Sequence, residues 1–212
     1  MATRAIAVDW SGRKSGERQA IRLAEARDGV LLRVEGGRRR SEVVDHLTHE
    51  SRRDPDLVVG MDFSFSLPAW FVASLGLPDA PGLWQRAAAD GERWLTECEP
   101  PFWGLPGRRR PPEDPLRPQL RATDIDTAAA AGDLVPRSPF QVSGAGSVGA
   151  SSIRGLPHLT RLRAAGFRIW PWDDFEPPVV VEIWTRVAIG ATVKSNGDAR
   201  REAIASAGAA IP

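Results

Sequence analysis

Residues 57–63, LVVGMDF, form an apolar run that ends on an acid, and residues 5–10, AIAVDW, repeat that design. Neither run shows a 3.6-residue period. Both are short and bounded by turn-forming residues, which is how a strand buried on both faces reads. A third such run, VVVEIW at 179–184, carries Glu182. Between the first two runs, residues 19–27 and 30–35 flank Asp28-Gly29, a dipeptide suited to a tight type I′ hairpin. Residues 41–53 read as a helix with Ser41 as N-cap and Val43, Val44 and Leu47 on one face, stopped by Asp54-Pro55. The expected order is therefore strand, hairpin, helix, strand, in an α/β chain.

The second half is less regular. Helices are expected at 69–75, 83–97, 122–131, 156–165 and 198–207, and strands at 167–172 and 179–184. Residues 100–118 contain seven prolines and the run Arg108-Arg109-Arg110, and read as an irregular insertion or flap. Trp170 and Trp172 alternate along one face of their strand and are expected in the core, and Cys98 is expected half-buried.

Composition limits the classes open to the chain. At 212 residues with 42% hydrophobic content, one domain spanning 1–212 with a real core is expected. A net charge of +1 argues against polyanion binding by bulk charge, though not against a local basic face. All basic residues but Lys14 and Lys194 are arginine, a bias that a GC-rich genome would explain. One cysteine permits neither an internal disulfide nor a cysteine-rich metal cage, and fits a reducing compartment. No run approaches a membrane span and the N-terminus lacks a signal-peptide layout, so a cytoplasmic location without membrane contact is expected.

Asp9, Asp62 and Glu182 each stand where an apolar strand ends. In an open α/β sheet, sites form beyond the carboxyl ends of neighbouring strands. Three carboxylates gathered there call for a cation, and oxygen-only ligation suits Mg²⁺ or Mn²⁺. Two such ions about 3.5–4 Å apart can activate a water and stabilise the leaving oxygen in phosphodiester cleavage. The plain alternative is that each acid caps a helix or ends a strand in solvent.

The strings AVDWSG (7–12), VVGMDFSFSLP (58–68), GAGSVGASSIRGLPHLTRLRAAGFRIWPWD (144–173) and VVVEIWTR (179–186) resemble the domain-of-unknown-function 429 family, whose members are taken for nucleases of the RNase H fold. The resemblance implies a central mixed sheet, an antiparallel part followed by parallel strands, flanked by helices. It implies Asp9, Asp62 and Glu182 as metal-binding and catalytic acids, and a nucleic-acid substrate. Thr185 stands where the family motif has proline. A last acid from a C-terminal helix is also implied, yet only Asp198 and Glu202 follow, on a segment that reads as the preceding basic helix. The chain is thus expected to stop before that acidic helix. A non-catalytic nucleic-acid- or protein-binding module of the same fold remains the alternative.

The loop Gly144-Ala-Gly146-Ser147-Val-Gly149 fits G-x-G-x-x-G, but the run before it is only Phe-Gln-Val and lies late in the chain, which argues against a dinucleotide site. Its bare N–H groups at a helix start suit a phosphate, with Arg154 or Arg186 as further contacts and Arg109 reaching from the flap. A plain tight loop is the structural alternative. His46 and His49, three residues apart, read as a solvated helix face, and His158 as a surface or capping residue.

Overall fold

Side-chain alternation along β1 (Arg4–Asp9) sets the sheet: Arg4, Ile6 and Val8 are buried, whereas Ala7 and Asp9 are exposed. A computed structural model describes residues 4–132, 134–189 and 198. β2 (Arg22–Arg27) and β3 (Val30–Gly36) form the expected hairpin, with Asp28 at φ 51° and Gly29 at φ 76°, the two positive values a type I′ turn needs. With β4 (Val58–Met61), β5 (Arg168–Ile169) and β6 (Val179–Glu182) they make one six-stranded sheet in the order β3-β2-β1-β4-β6-β5. The β1–β2 and β2–β3 pairs are antiparallel; β1–β4, β4–β6 and β6–β5 are parallel. The protein is thus α/β with a mixed sheet flanked by helices.

The helices follow their signals with shifted starts. α1 (Glu17–Ala20) takes the beginning of the expected first hairpin strand. α2 (Arg40–Arg53) is capped at Arg39 rather than Ser41, because the Glu42 carboxylate accepts the Arg39 N–H at 2.8 Å. α3 (Ala69–Ser74) falls where expected. α4 (Ala80–Glu97) starts earlier than 83, where Asp79 accepts the Gly82 N–H. α6 (Gly149–Ala164) begins seven residues before the expected 156. Its first two turns lack apolar residues at helical spacing because they pack closely: a Cβ on Gly155 would lie 2.5 Å from the Phe63 ring, and one on Gly91 of α4 2.9 Å from Ile153. Val43, Val44 and Leu47 of α2 and Ile153, Leu156 and Leu159 of α6 join Ile6, Val8, Val59 and Met61 in one core.

Two tryptophans part company. The strand expected over 167–172 is only Arg168–Ile169, after which the chain turns, with the Trp172 N–H bonding to the Ile169 carbonyl. Trp172 packs its ring edge-on to Trp84, centroids 5.4 Å apart, but Trp170 is 45% exposed and not in the core. Cys98 is fully buried rather than half-buried. Residues 98–121 hold no helix or strand beyond a single bridge from Trp103 to Gln141.

By their contacts the residues divide into two units, Met1–Arg121 with Arg137–Ile183, and Ala122–Pro136 with Trp184–Pro212. The first holds the sheet. The second holds α5 (Ala122–Ala130) and α7 (Thr185–Ile189). The helix expected at 198–207 lies outside the described residues except for Asp198. Among the described residues no helix is long and apolar enough to cross a membrane.

Candidate functional site

Two of the three acids come together. β1 and β4 run parallel with Val8 opposite Met61, so Asp9 and Asp62 are the next pair, and the Asp62 N–H donates to the Val8 carbonyl at 3.0 Å. Adjacent hydrogen-bonded strands lie about 4.8 Å apart. Asp9 continues the side of Ala7 and Asp62 that of Gly60, which is Ala7's partner, so both acids belong to one face. Arg22 stands opposite Asp9 on the antiparallel neighbour. Trp10, next in the chain, is 5% exposed and turned to the core, as strand alternation requires.

Glu182 stands apart. It pairs with Met61 in the β4–β6 register, one residue out of step with Asp62 and so on the core-facing side. There its carboxylate accepts the Phe65 N–H at 2.8 Å and two bonds from the Arg121 guanidinium, at 2.8 and 2.5 Å. This bidentate pair is partly shielded from solvent, the Arg121 side chain being 12% exposed. Among the described residues no group of three or more histidine, cysteine or acidic side chains is placed to share a metal ion. The donor set on the sheet face is therefore a pair of carboxylates. That fits a cation of the Mg²⁺ type, which keeps several waters and is commonly held by one or two carboxylates together with substrate phosphate. Nothing in the residue spacing marks Arg121, which follows the proline-rich stretch, and the Asp28-Gly29 hairpin sets only the partner of Arg22 on β3, not its place opposite Asp9 on β1.

Beside the strand end lies a cavity of about 330 Å³ lined by Trp10, Ser11, Gly12, Ser143, Ser147 and Ser151, among others. Its two walls are the β1 exit loop and the glycine-rich loop with the start of α6. The exit loop is fastened from behind by its carbonyls. Arg40 donates to Ser11 O at 2.8 Å and Arg13 O at 3.1 Å, and Arg154 donates to Gly12 O. Arg154 is also held bidentately by Glu92, at 2.6 and 2.9 Å, so this guanidinium anchors the loop. In the glycine-rich loop, Gly144 (φ 97°) and Gly146 (φ 72°) adopt left-handed conformations, and the Ser147 N–H bonds to Gly144 O. Gly149 is already the first residue of α6, its N–H on Gln141 O. Arg109 is exposed in the irregular 98–121 stretch, and Arg186 belongs to the second unit.

Gly12 is where the two walls meet. A Cβ there would stand 2.3 Å from the Ser151 nitrogen and 2.5 Å from the Ala150 carbonyl carbon, both backbone atoms that cannot swing aside. Gly12→Ala is expected to cost about 1–3 kcal/mol, the range for overpacking a closed site. Urea unfolding measures this, and a change below about 0.5 kcal/mol would mean the walls are not in contact.

The histidines also find places. His49 is exposed, whereas the His46 ring is largely buried beside Glu35. His158, expected at the surface, is instead packed edge-on to Trp10, ring centroids 5.4 Å apart, and burial pushes its pKa down to about 4. The cause of the misplacement is the early start of α6, which turns position 158 inward. No family model, no curated protein and no solved structure matches this chain.

Proposed function

We propose that the chain is a metal-dependent nuclease of the RNase H-like type, acting on nucleic-acid phosphodiesters. The observation that carries this reading is the Asp9–Asp62 pair at the carboxyl ends of two adjacent parallel strands. The sheet order agrees with it: an antiparallel trio β3-β2-β1 continued by parallel strands is the arrangement that the resemblance to the domain-of-unknown-function 429 family implies. Asp9 and Asp62 would hold Mg²⁺ or Mn²⁺, which supplies positive charge to the phosphate and lowers the pKa of a bound water. Arg22 beside Asp9 and exposed Arg109 offer guanidinium groups suited to the nucleic-acid backbone. Glu182 enters this reading behind the face, where with Arg121 it fixes the Phe65 turn that follows Asp62.

Binding of Mn²⁺, followed by electron paramagnetic resonance, and release of acid-soluble nucleotides from single- and double-stranded RNA and DNA give two independent readouts. Asp9→Asn and Asp62→Asn are each expected to weaken Mn²⁺ binding at least tenfold, about 1.4 kcal/mol, and to bring cleavage to background. Equal background release by the wild type and Asp9→Asn would remove the nuclease reading.

The alternative, a non-catalytic nucleic-acid-binding module, has one observation of its own: Glu182 is already neutralised by Arg121 rather than presented to a cation. It is distinguished by nucleic-acid binding that is salt-dependent but unchanged by EDTA and by Asp9→Asn.

A further inference from the structure

The two edges of the sheet are built differently. On one side β5 is two residues long and is followed within two residues by Pro171, a short blunted edge of the kind that prevents strand addition. On the other side β3 runs for seven residues, VLLRVEG, with no proline or lysine, its pairing with β2 broken only by a shift in register that leaves Leu32 without a partner. Four of its side chains are large, apolar and exposed: Val30 at 62%, Leu31 at 61%, Leu32 at 54% and Val34 at 61%. They occupy both sides of the strand. Leu31 and Val34 pair with Ala26 and Ala24, whereas Val30 pairs with Arg27, which has the opposite pleat. Apolar residues on both faces mark an interior strand, not an edge. The two charges do not guard the edge, since Arg33 is held by Glu25 at 2.7 Å and Glu35 by Arg38 at 2.6 Å. Among the described residues β2 alone pairs with β3.

We propose that β3 pairs antiparallel with β3 of a second copy of this chain, about a two-fold axis at Val34, making one sheet continuous across a homodimer. The sequence is self-complementary in that register. With Val34 against Val34, Arg33 of each copy lies opposite Glu35 of the other, twice by symmetry, and Leu32 lies opposite Gly36. Sliding the axis to residue 33 sets Arg33 against Arg33, a like-charged cross-strand pair. In this register Leu32 and Val34 lie within the paired span, while Leu31 and Val30 fall opposite Gly37 and Arg38 at its ends. The cross-strand contact therefore covers roughly 150–200 Å² of apolar surface per copy, about a quarter of the ~800 Å² per partner in a standard interface. The main-chain ladder adds to that area and satisfies the outward N–H and C=O groups of the strand.

Light scattering on the full chain after size exclusion is expected to give twice 23.0 kDa at about 100 µM protein. A mass of 23.0 kDa at that concentration overturns the proposal, including the case in which β3 serves another protein's strand. Val34→Lys, at an exposed position, is expected to give a monomer with an unchanged circular dichroism spectrum; a Val34→Lys dimer overturns the proposal. Cross-linking reads the register. Cys98 is fully buried, so Val34→Cys offers the accessible thiol and is expected to form a disulfide-linked dimer on mild oxidation, at least tenfold faster than Leu31→Cys. Equal rates, or no cross-link from Val34→Cys, overturn the pairing.

Discussion

Arg4→Met is expected to lower the unfolding free energy by about 3 kcal/mol at neutral pH, toward the lower end of the 3–5 kcal/mol found when one partner of a buried ion pair is removed. Arg4 lies on the core side of β1 with its side chain 7% exposed, and holds Glu25 of β2 at 2.8 Å and Glu50 of α2 at 2.5 Å. Those carboxylates are 11% and 7% exposed, so methionine would fill the volume but leave both charges short of water and of their main partner. The lower end applies because Glu25 keeps Arg33 at 2.7 Å and Glu50 keeps the exposed Arg53 at 3.6 Å. Against a typical total of 5–15 kcal/mol, the loss is a large fraction of the stability.

The pH dependence gives that prediction a second readout. Burial alone would raise both carboxyls, but the bonds and charge of Arg4 outweigh it and hold Glu25 and Glu50 below the usual range. Their contribution is present above the unfolded value and is lost as pH falls through the folded one. In Arg4→Met the burial is offset only by Arg33 and the weaker Arg53 contact, so the carboxyls protonate at higher pH and relieve the variant. The gap between wild type and variant therefore narrows from pH 7 toward pH 4. Urea unfolding at both values checks this. A neutral-pH loss below about 1 kcal/mol, or a gap that does not narrow, would show that the Arg4 cluster is not what holds β1, β2 and α2 together.

What the chain's pattern revealed, and what it hid, follows from the range of the interactions involved. β1, the hairpin, β4 and β6 were legible because each is set by local signals: a short apolar run, or Asp-Gly with its positive φ values. The early part of α6 was hidden because its residues were chosen for fit. Gly149, Ala150 and Gly155 are small so that the helix can approach Gln141, Gly12 and Phe63, and close packing leaves no apolar period to read. The same cause hid the burial of His158.

The candidate site divides along the same line. That Asp9 and Asp62 are neighbours was only what the family resemblance implies, because β2, β3 and α2 lie between their strands and chain order alone does not fix the pairing of β1 with β4. Glu182 followed the same rule of an acid at a strand end, but rule and register disagree by one residue, and one residue moves a side chain to the other face. The spacing within VVVEIW cannot reveal this, because the pairing of β6 with β4 is a long-range fact. Arg121, which then claims the carboxylate, comes from a segment with no secondary structure, 61 residues away in the chain. The three carboxyl-end acids thus share one end of the sheet but not one face.

His158 supplies the second large effect, and it runs on a different pH window. Burial is the first cause of its low pKa of about 4, and Arg161 and Arg40 add to it against the weaker pull of Glu17 and Asp45. An unfolded histidine titrates near 6.5. Between those values the unfolded chain binds a proton that the folded one refuses, so stability falls as pH drops from about 6.5 toward 4. From pH 7 to 4.5 the loss assigned to this residue is about 2–3 kcal/mol, from the linkage of one pKa unit to 1.36 kcal/mol. Glu25 and Glu50 contribute mainly below their unfolded values, so the loss between pH 6.5 and 5 belongs to the histidines: His158, and His46, whose pKa burial also lowers. His158→Gln gives up the edge contact with Trp10 and is less stable at pH 7, but that deficit does not depend on the histidine's proton. The variant is therefore expected to show a clearly shallower decline from pH 7 to 5 than the wild type, the remainder coming from His46. Urea midpoints at half-unit steps decide the matter: parallel declines in the two proteins would mean that His158 takes up its proton as readily folded as unfolded, and that the Trp10 contact does not seal the ring from water.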